Sequence, residues 1–296
     1  MRAFCLLILL MQNPLQDAVT LVREHRYQEA QQKLNGETEP VDIPQRIAFH
    51  RLKAAIAAGL SNFREAAQEM RLAHVLAPSD TQLSIATAVA LVESGAAGEA
   101  VSLLNEVRRT SQDSALLWTV LGVALYAEGE SKDAQASLTR AIHLDERFEP
   151  AYRSLAVIAL ESSSAPSVEI QAALCRWSKV VCAALDVRRA RETSDGPLAD
   201  RAMDVLRTAP ANDSIARCSL GQAYAWRSRL TEARTELERC VALSPTPQNR
   251  YRLALVYKRL GESELARREL AERAKLLTGQ NEQTAIGTDA LQGVQR

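Results

Sequence analysis

Residues 115–148, ALLWTVLGVALYAEGESKDAQASLTRAIHLDERF, contain the pattern that decides the fold of this chain. Two small residues in this stretch, Gly122 and Ala134, are 12 positions apart, and Ala134 ends the series Ala66, Ala100 and Ala134, whose members are 34 residues apart. A fixed period of this length is typical of stacked helical hairpins, in which small side chains let two helices approach closely. The period therefore predicts a helical repeat protein rather than one globular core.

The start of that stretch, Trp118-x2-Leu121-Gly122, matches the opening motif of the tetratricopeptide repeat (TPR). The same phase is found in the windows 47–80, 81–114 and 214–246, and again after residue 247. The chain thus resembles the TPR family. The resemblance implies an all-α fold, a right-handed α/α superhelix (a TPR solenoid) of about seven to eight helical hairpins.

The repeat pattern predicts one TPR-like domain over residues 13–277, irregular at 149–213. Within the irregular part, a polar turn precedes an apolar stripe, which predicts one long helix from Ser167 to about Arg191. After Leu277 the sequence is polar and lacks large apolar faces. Residues 278–296 are therefore predicted to form a disordered C-terminal tail.

The N-terminal segment, residues 1–12, has one early positive charge, Arg2, followed by an apolar run. The run suits the apolar core of a signal peptide and is shorter than the ~20 residues of a membrane-spanning helix. This pattern predicts an export signal cleaved near Gln12, although no Ala-x-Ala motif is present. The alternative is a short apolar helix that caps the repeats of a cytoplasmic protein.

The cysteines do not decide whether the protein works in an oxidising or a reducing cellular compartment. Cys175 and Cys182 fall seven residues apart in the predicted long helix, where the helical rise of ~1.5 Å per residue would separate them by about 10 Å, too far for a disulfide. Cys218 and Cys240 fall on the two predicted helices of one repeat. A disulfide between them would suit an oxidising periplasm, but the sequence favours buried free thiols in place of alanine.

No sequence motif for catalysis, a cofactor or a metal site is found. The chain lacks a Cys-x2-Cys pair, a glycine-rich phosphate loop and a nucleophile elbow, and its four histidines are scattered. Glutamates interleave with the arginines of the last predicted helix, and the net charge is +0, which argues against a nucleic-acid partner. We therefore expect no enzymatic activity and no cofactor.

In the family that this chain resembles, peptide ligands lie along the first helix of each repeat, in the concave groove. The same helix positions in this chain give the candidate groove residues. In the alternative interpretation some of these residues pack between repeats and do not contact a ligand, above all Val89 and Val123. The candidate peptide-binding residues are Tyr126, Val123, Leu160, Trp226, Gln222, Tyr251, Lys258 and Arg259.

The Lys and Asn pattern with which some TPR cochaperones hold the acidic C-termini of Hsp70 and Hsp90 is missing here. The sequence instead predicts a non-enzymatic interaction scaffold of the cell envelope or periplasm, which binds a peptide or amphipathic helix of a protein partner in its groove. The alternatives are a cytoplasmic regulatory or enzyme-associated subunit, and a catalytic module within residues 149–213. A deep pocket with converging polar groups would favour the last.

Overall fold

A computed structural model describes residues 14–162 and 165–280 of the chain. The candidate signal peptide, residues 1–12, and residues 281–296 of the predicted tail lie outside the described residues. Within the described ranges the regular structure is entirely helical and comprises 16 helices. None of these helices is both long and apolar enough to cross a membrane.

The chain divides into two compact units, and the first ends at Ser111. The described part of this first unit is built of three helical hairpins, in which the two helices of each hairpin pack against each other and the next hairpin packs on the last. The helices are α1 (Pro14–Arg23), α2 (Tyr27–Leu34), α3 (Ile43–Gly59), α4 (Phe63–Leu76), α5 (Thr81–Glu93) and α6 (Ala97–Thr110).

The second unit begins at Gln112 and contains five hairpins among its described residues. Its helices are α7 (Ala115–Ala127), α8 (Ser131–Leu144), α9 (Glu149–Glu161), α10 (Val168–Trp177), α11 (Lys179–Thr193), α12 (Gly196–Arg207), α13 (Ser214–Trp226), α14 (Leu230–Leu243), α15 (Pro247–Leu260) and α16 (Ser263–Gln280). We call the first helix of each hairpin its A helix and the second its B helix. The eight hairpins of the two units confirm the predicted all-α class and repeat number.

The A helices of the second unit lie side by side. Helix α7 contacts α9, α9 contacts α11, α11 contacts α13, and α13 contacts α15. The B helices α8, α12 and α14 each pack against the A helix that follows. Residues that are far apart in sequence but at matching positions of successive A helices are therefore brought into one row.

The predicted small residues lie where the helices of a hairpin approach most closely. A Cβ atom on Gly122 of α7 would lie 2.7 Å from Cγ of Leu138 in α8, and one on Gly221 of α13 would lie 2.5 Å from Cγ of Leu237 in α14. Ala134, opposite Gly122, is fully buried. Glycine at these two positions is required by close packing and not by an unusual backbone angle.

The irregular segment departs from the prediction of one long helix after Ser167. The helix ends at Trp177 and a new one begins at Lys179, because Ser178 has the extended backbone angles φ −144° and ψ 121°. Ser178 follows the last residue of α10 and also caps α11, since its side chain accepts a hydrogen bond from the backbone N–H of Val181. The segment thus forms two hairpins, α9–α10 and α11–α12.

The break at Ser178 also overturns the exclusion of a disulfide between Cys175 and Cys182. The two Cα atoms lie 4.5 Å apart and the sulfurs are bonded. The rise of a continuous helix does not apply to this pair, because the chain turns a corner between the two residues.

The second expectation for the cysteines, free thiols at Cys218 and Cys240, is also wrong. These residues form a disulfide that joins α13 to α14 within one hairpin, with the Cα atoms 4.8 Å apart. The close helix approach next to Gly221 provides the short distance that a disulfide needs.

The last helix, α16, runs to Gln280, so the first residues of the segment predicted to be a tail still belong to a helix. Polar and charged side chains interleave along it, and Glu264 and Glu272 form ion pairs with Arg267 and Lys275.

Close packing at Gly122 leads to a prediction about stability. Gly122→Ala should lower the free energy of unfolding by about 1–3 kcal/mol, because the new methyl group overlaps Leu138. Urea unfolding followed by circular dichroism measures the change. The double variant Gly122→Ala with Leu138→Ala should lose less stability than the sum of the two single variants, because the truncated leucine makes room. A Gly122→Ala protein as stable as the parent would contradict the packing.

The disulfides predict the chemical state of four cysteines. In protein isolated from an oxidising compartment, denatured without reductant and treated with iodoacetamide, mass spectrometry should find Cys175, Cys182, Cys218 and Cys240 unlabelled. Labelling of all four should appear after reduction, which is the control. Quantitative labelling of either pair before reduction would show that the pair is not bonded.

Candidate functional site

The eight residues predicted for the groove all lie on A helices of the second unit, but they differ in accessibility. Val123 is 2% exposed and packs in the core, as the alternative interpretation held, and Val89 of the first unit is also buried. Leu160 and Gln222 are half-buried, and the side-chain amide of Gln222 donates to the carbonyl of Cys218 at 3.2 Å. These residues offer little surface to a ligand.

The aromatic candidates are more accessible. Tyr126 is half-buried, and its hydroxyl donates to Oε2 of Glu161 at 2.9 Å, which joins α7 to α9. Burial and the neighbouring Glu161 carboxylate both raise the pKa of Tyr126, so its hydroxyl stays protonated as a donor. Trp226 is half-buried beneath the guanidinium of Arg227, and Tyr251 is 41% exposed.

The basic candidates lie at the end of α15. Lys258 is exposed. Arg259 donates to the carbonyl of Ala225 at 2.7 Å and to Oγ of Ser228 at 3.2 Å, so its guanidinium reaches back to the end of the preceding A helix. Tyr251, Lys258 and Arg259 are therefore presented by one helix, while Tyr126 and Leu160 belong to α7 and α9 at the other end of the row.

Three charged residues on these A helices were not among the predicted groove residues. Helix α15 also carries Arg252, which is half-buried and interacts electrostatically with Glu161 of α9 and with Arg191 of α11. Burial lowers the pKa of Arg252, Glu161 raises it, and Arg191 lowers it further. The charges of Glu161 on α9 and Arg191 on α11 thus act on the pKa of Arg252 from other A helices of the row.

A signal for two of these residues exists in the sequence. Glu161 and Arg191 are each the thirteenth residue of their A helix, counted from Glu149 and Lys179, and Trp226 and Arg259 have the same position in α13 and α15. Arg191 was missed because the predicted long helix hid the start of α11. Arg252 has no such signal, since it lies beside the predicted position Tyr251 and the charge of Glu161 acts on it from another A helix.

The first unit also carries a carboxylate at the thirteenth position of an A helix, in its last A helix, α5. Glu93 ends α5, and no basic side chain of the described residues lies within ion-pair distance of it. Burial raises the pKa of Glu93 to about 7. Its charge is therefore costly in the folded state.

A cavity of about 240 Å³ lies between α8, α9 and α10, in the irregular part of the chain. Its wall includes Leu155 and Ile170, and on its rim Nε2 of His143 lies 3.4 Å from Oε1 of Glu169. Both rim side chains are largely exposed, and the cavity is smaller than the ~300–1,000 Å³ typical of small-molecule sites. Thr139, Glu146, Tyr152 and Arg176 also line this cavity, so polar groups are present, but its volume is too small for the deep pocket that would favour a catalytic module.

In the described part of the chain, no group of three or more His, Cys, Asp or Glu side chains is placed to hold a metal ion.

Comparison with known proteins identifies the fold. A tetratricopeptide repeat protein from Parabacteroides merdae superposes with a TM-score of 0.57 at 11% identity, over 84% of this chain and 99% of that one. Cut9 of the APC/C hetero-tetramer Cut9-Hcn1 superposes with a TM-score of 0.53 at 16% identity, and yeast Tom70 with 0.53 at 15%. Each of these two matches covers 95% of this chain, which spans 48% of the Cut9 chain and 60% of the Tom70 chain.

No protein-family model matches the sequence, and no curated protein matches it either. The solved structures nevertheless agree with the repeat motif, the period and the helical hairpins. The chain therefore has the TPR fold, and the resemblance predicted from Trp118-x2-Leu121-Gly122 is confirmed.

The raised pKa of Glu93 predicts a pH-dependent stability. The folded state holds its proton up to about pH 7, whereas the unfolded state releases it near 4.5, so this group makes the protein less stable as the pH rises between these values. Glu93→Gln should raise the melting temperature at about pH 8 and leave it nearly unchanged at about pH 4.

Glu99→Gln is the matched control, because the ion pair with Arg71 lowers the pKa of Glu99. This variant should lower the melting temperature slightly at about pH 8, the opposite sign. Equal melting temperatures of the parent and Glu93→Gln at both pH values would show that ionisation of Glu93 does not destabilise the folded state.

Proposed function

We propose that this protein is a non-enzymatic scaffold that holds a segment of a protein partner, a peptide or an amphipathic helix, on the A helices of its second unit. The observation that carries the proposal is the row of A helices itself. It presents Tyr126, Trp226, Tyr251 and Lys258 from three helices, each with part of its side chain accessible. Rigid aromatic side chains with accessible faces are the kind that dominate protein–protein contacts.

The fold supports a protein partner. Repeat hairpins add surface without adding a central core, so the stack offers an extended site rather than an enclosed pocket. One of the solved structures with this fold, Cut9, is part of a hetero-tetramer with Hcn1. We infer a partner of the same general kind, another protein, for this chain.

We further propose that the protein works in an oxidising compartment, the periplasm or the cell exterior. Two disulfides, Cys175–Cys182 and Cys218–Cys240, support this location, because cytosolic thiols are kept reduced. The apolar run in residues 1–12 supports it independently. Intact-mass measurement of protein from fractionated cells tests the location, since export predicts loss of the residues up to about Gln12.

Binding is tested by crosslinked capture of the partner from the compartment in which the protein is found. Tyr126→Ala, Trp226→Ala and Lys258→Ala should each reduce capture, with a loss on the order of 2 kcal/mol for an aromatic residue at the centre of the contact. Circular dichroism should show that the variants remain folded.

Leu144→Ala serves as the matched control, because Leu144 is 38% exposed on the B helix α8 of the same unit. It removes accessible apolar surface away from the A helices and should leave capture unchanged. Undiminished capture by all three A-helix variants would exclude this surface as the binding site.

A further inference from the structure

The eighth residue of six B helices is a buried leucine or methionine, namely Leu34, Met70, Leu104, Leu138, Met203 and Leu237. Two of these residues pack on a glycine of the A helix, Leu138 on Gly122 and Leu237 on Gly221. In α10 the eighth residue is Cys175, which is half-buried and bonded to Cys182 of α11, in the next hairpin. A covalent link to the following hairpin thus takes the place of the leucine.

The remaining attachment of α10 is apolar. Its buried residues are Ile170, Ala173 and Leu174, and Trp177 stacks on Tyr152 of α9 with the ring centroids 5.6 Å apart and an interplanar angle of 16°. The helix has 10 residues, fewer than the ~12–15 below which an isolated helix is only marginally stable in water. The order of α10 therefore depends on its neighbours and, near its C-terminal end, on the disulfide to α11.

Helix α11 has further attachments that do not involve this bond. Nη1 of Arg188 donates to the carbonyl of Ala159 at 2.8 Å, which joins α11 to α9 in the row of A helices. Helix α11 also packs against its own B helix, α12, and against the next A helix, α13. Opening of the disulfide is therefore expected to loosen α10 and to leave the row of A helices in place.

The two disulfides differ in their surroundings. Both Cys175 and Cys182 keep part of their surface accessible to solvent. Cys240 is fully buried in an apolar core that includes Leu237, and Cys218 is half-buried against the same core. A thiolate released at Cys240 would be poorly solvated, and thiol–disulfide exchange is slow when the leaving thiolate is unstable. The Cys218–Cys240 bond is therefore the more resistant of the two.

Cys182 is the better leaving group of the accessible disulfide. It is the fourth residue of α11 and so belongs to the first turn of that helix, where the backbone dipoles favour a negative charge. Lys179, the first residue of α11, is exposed and lies three positions from Cys182, which makes the two neighbours on the helix surface. Attack of a thiolate on Sγ of Cys175 therefore displaces a stabilised thiolate at Cys182.

We propose that the Cys175–Cys182 bond is a site of thiol–disulfide exchange with an external dithiol and acts as a redox-controlled latch on α10. One thiolate of the dithiol attacks Sγ of Cys175, the disulfide bond breaks, and its electron pair goes to Sγ of Cys182. The second thiolate of the dithiol then attacks the mixed disulfide and releases Cys175. Two electrons and two protons pass to the protein, and the dithiol leaves as a disulfide. This inference goes beyond the proposed function, because it requires no partner.

Release of this latch changes the surface that this part of the stack presents. Trp177 loses its fixed place on Tyr152, and the apolar face of α10 with Ile170 and Leu174 becomes accessible. The wall that α10 contributes to the cavity between α8, α9 and α10 opens as well. The oxidised protein thus holds α10 packed against its neighbours, and the reduced protein exposes it.

The first test compares the two disulfides in the full, oxidised chain. Dithiothreitol is the probe, acid stops the reaction after graded times, and free thiols are alkylated and quantified for each cysteine by mass spectrometry. Cys175 and Cys182 should become reduced on the order of tenfold faster than Cys218 and Cys240, because their leaving thiolate is better stabilised. Equal rates, or faster reduction of Cys218–Cys240, would overturn the inference.

The second test follows α10 itself. Arg176 is exposed at the C-terminal end of α10, and trypsin cleaves after it when the helix loosens. Reduction that opens only Cys175–Cys182 should speed this cleavage on the order of tenfold, as local opening of one helix does. It should also shift the fluorescence emission of Trp177 to longer wavelength, and Trp177→Phe should abolish that shift. Circular dichroism should lose no more than the signal of one short helix.

Matched double variants separate the latch from a general loss of crosslinks. Cys218→Ala with Cys240→Ala should keep the dithiol-dependent cleavage after Arg176. Cys175→Ser with Cys182→Ser should be cleaved there rapidly without a dithiol.

Unchanged cleavage and unchanged Trp177 emission after Cys175–Cys182 has opened in the parent chain would overturn the inference. Loss of most of the helical signal at that point would also overturn it, because the bond would then hold the whole unit and not α10 alone. The proposed function is tested separately by partner capture and does not depend on either outcome.

Discussion

The contact between Gly122 and Leu138 is the interaction on which the rest of the second unit depends. It sets the distance between the two helices of a hairpin, and the same contact recurs between Gly221 and Leu237. In these two hairpins the B helix lies close to its A helix, and the A helix of the next hairpin packs beside the last. The spacing of the A helices that carry the candidate residues depends on this short helix–helix distance.

Charged residues in this unit fall into two kinds. Arg217 and Arg250 are paired with buried carboxylates and fasten one helix to another. Arg252 is half-buried and donates to Oδ1 of Asn249, and the charged residues that shift its pKa, Glu161 and Arg191, belong to α9 and α11. The first kind fastens the fold through direct ion pairs, whereas the charges that act on Arg252 belong to helices other than its own.

The two disulfides lie at different places in the repeat, one within a regular hairpin and one between two hairpins. Cys218–Cys240 closes a regular hairpin at a point where the helices are already close. Cys175–Cys182 spans the corner at Ser178, where the repeat is irregular and α10 gives way to α11. The Cys175–Cys182 disulfide therefore joins the two sides of the bend at Ser178, where the regular hairpin packing of the repeat is interrupted.

The sequence by itself determined the helical class, the hairpin period and the small residues at Gly122 and Ala134, because these follow from local periodicity. It also indicated Tyr126, Trp226 and Lys258 as accessible A-helix residues, since their position recurs with the repeat. The tertiary structure decided the rest. A single extended residue, Ser178, broke the expected helix and brought two cysteines together. The influence of Glu161 and Arg191 on the pKa of Arg252 depends on how the hairpins stack, which no local pattern encodes for residues so far apart in the chain.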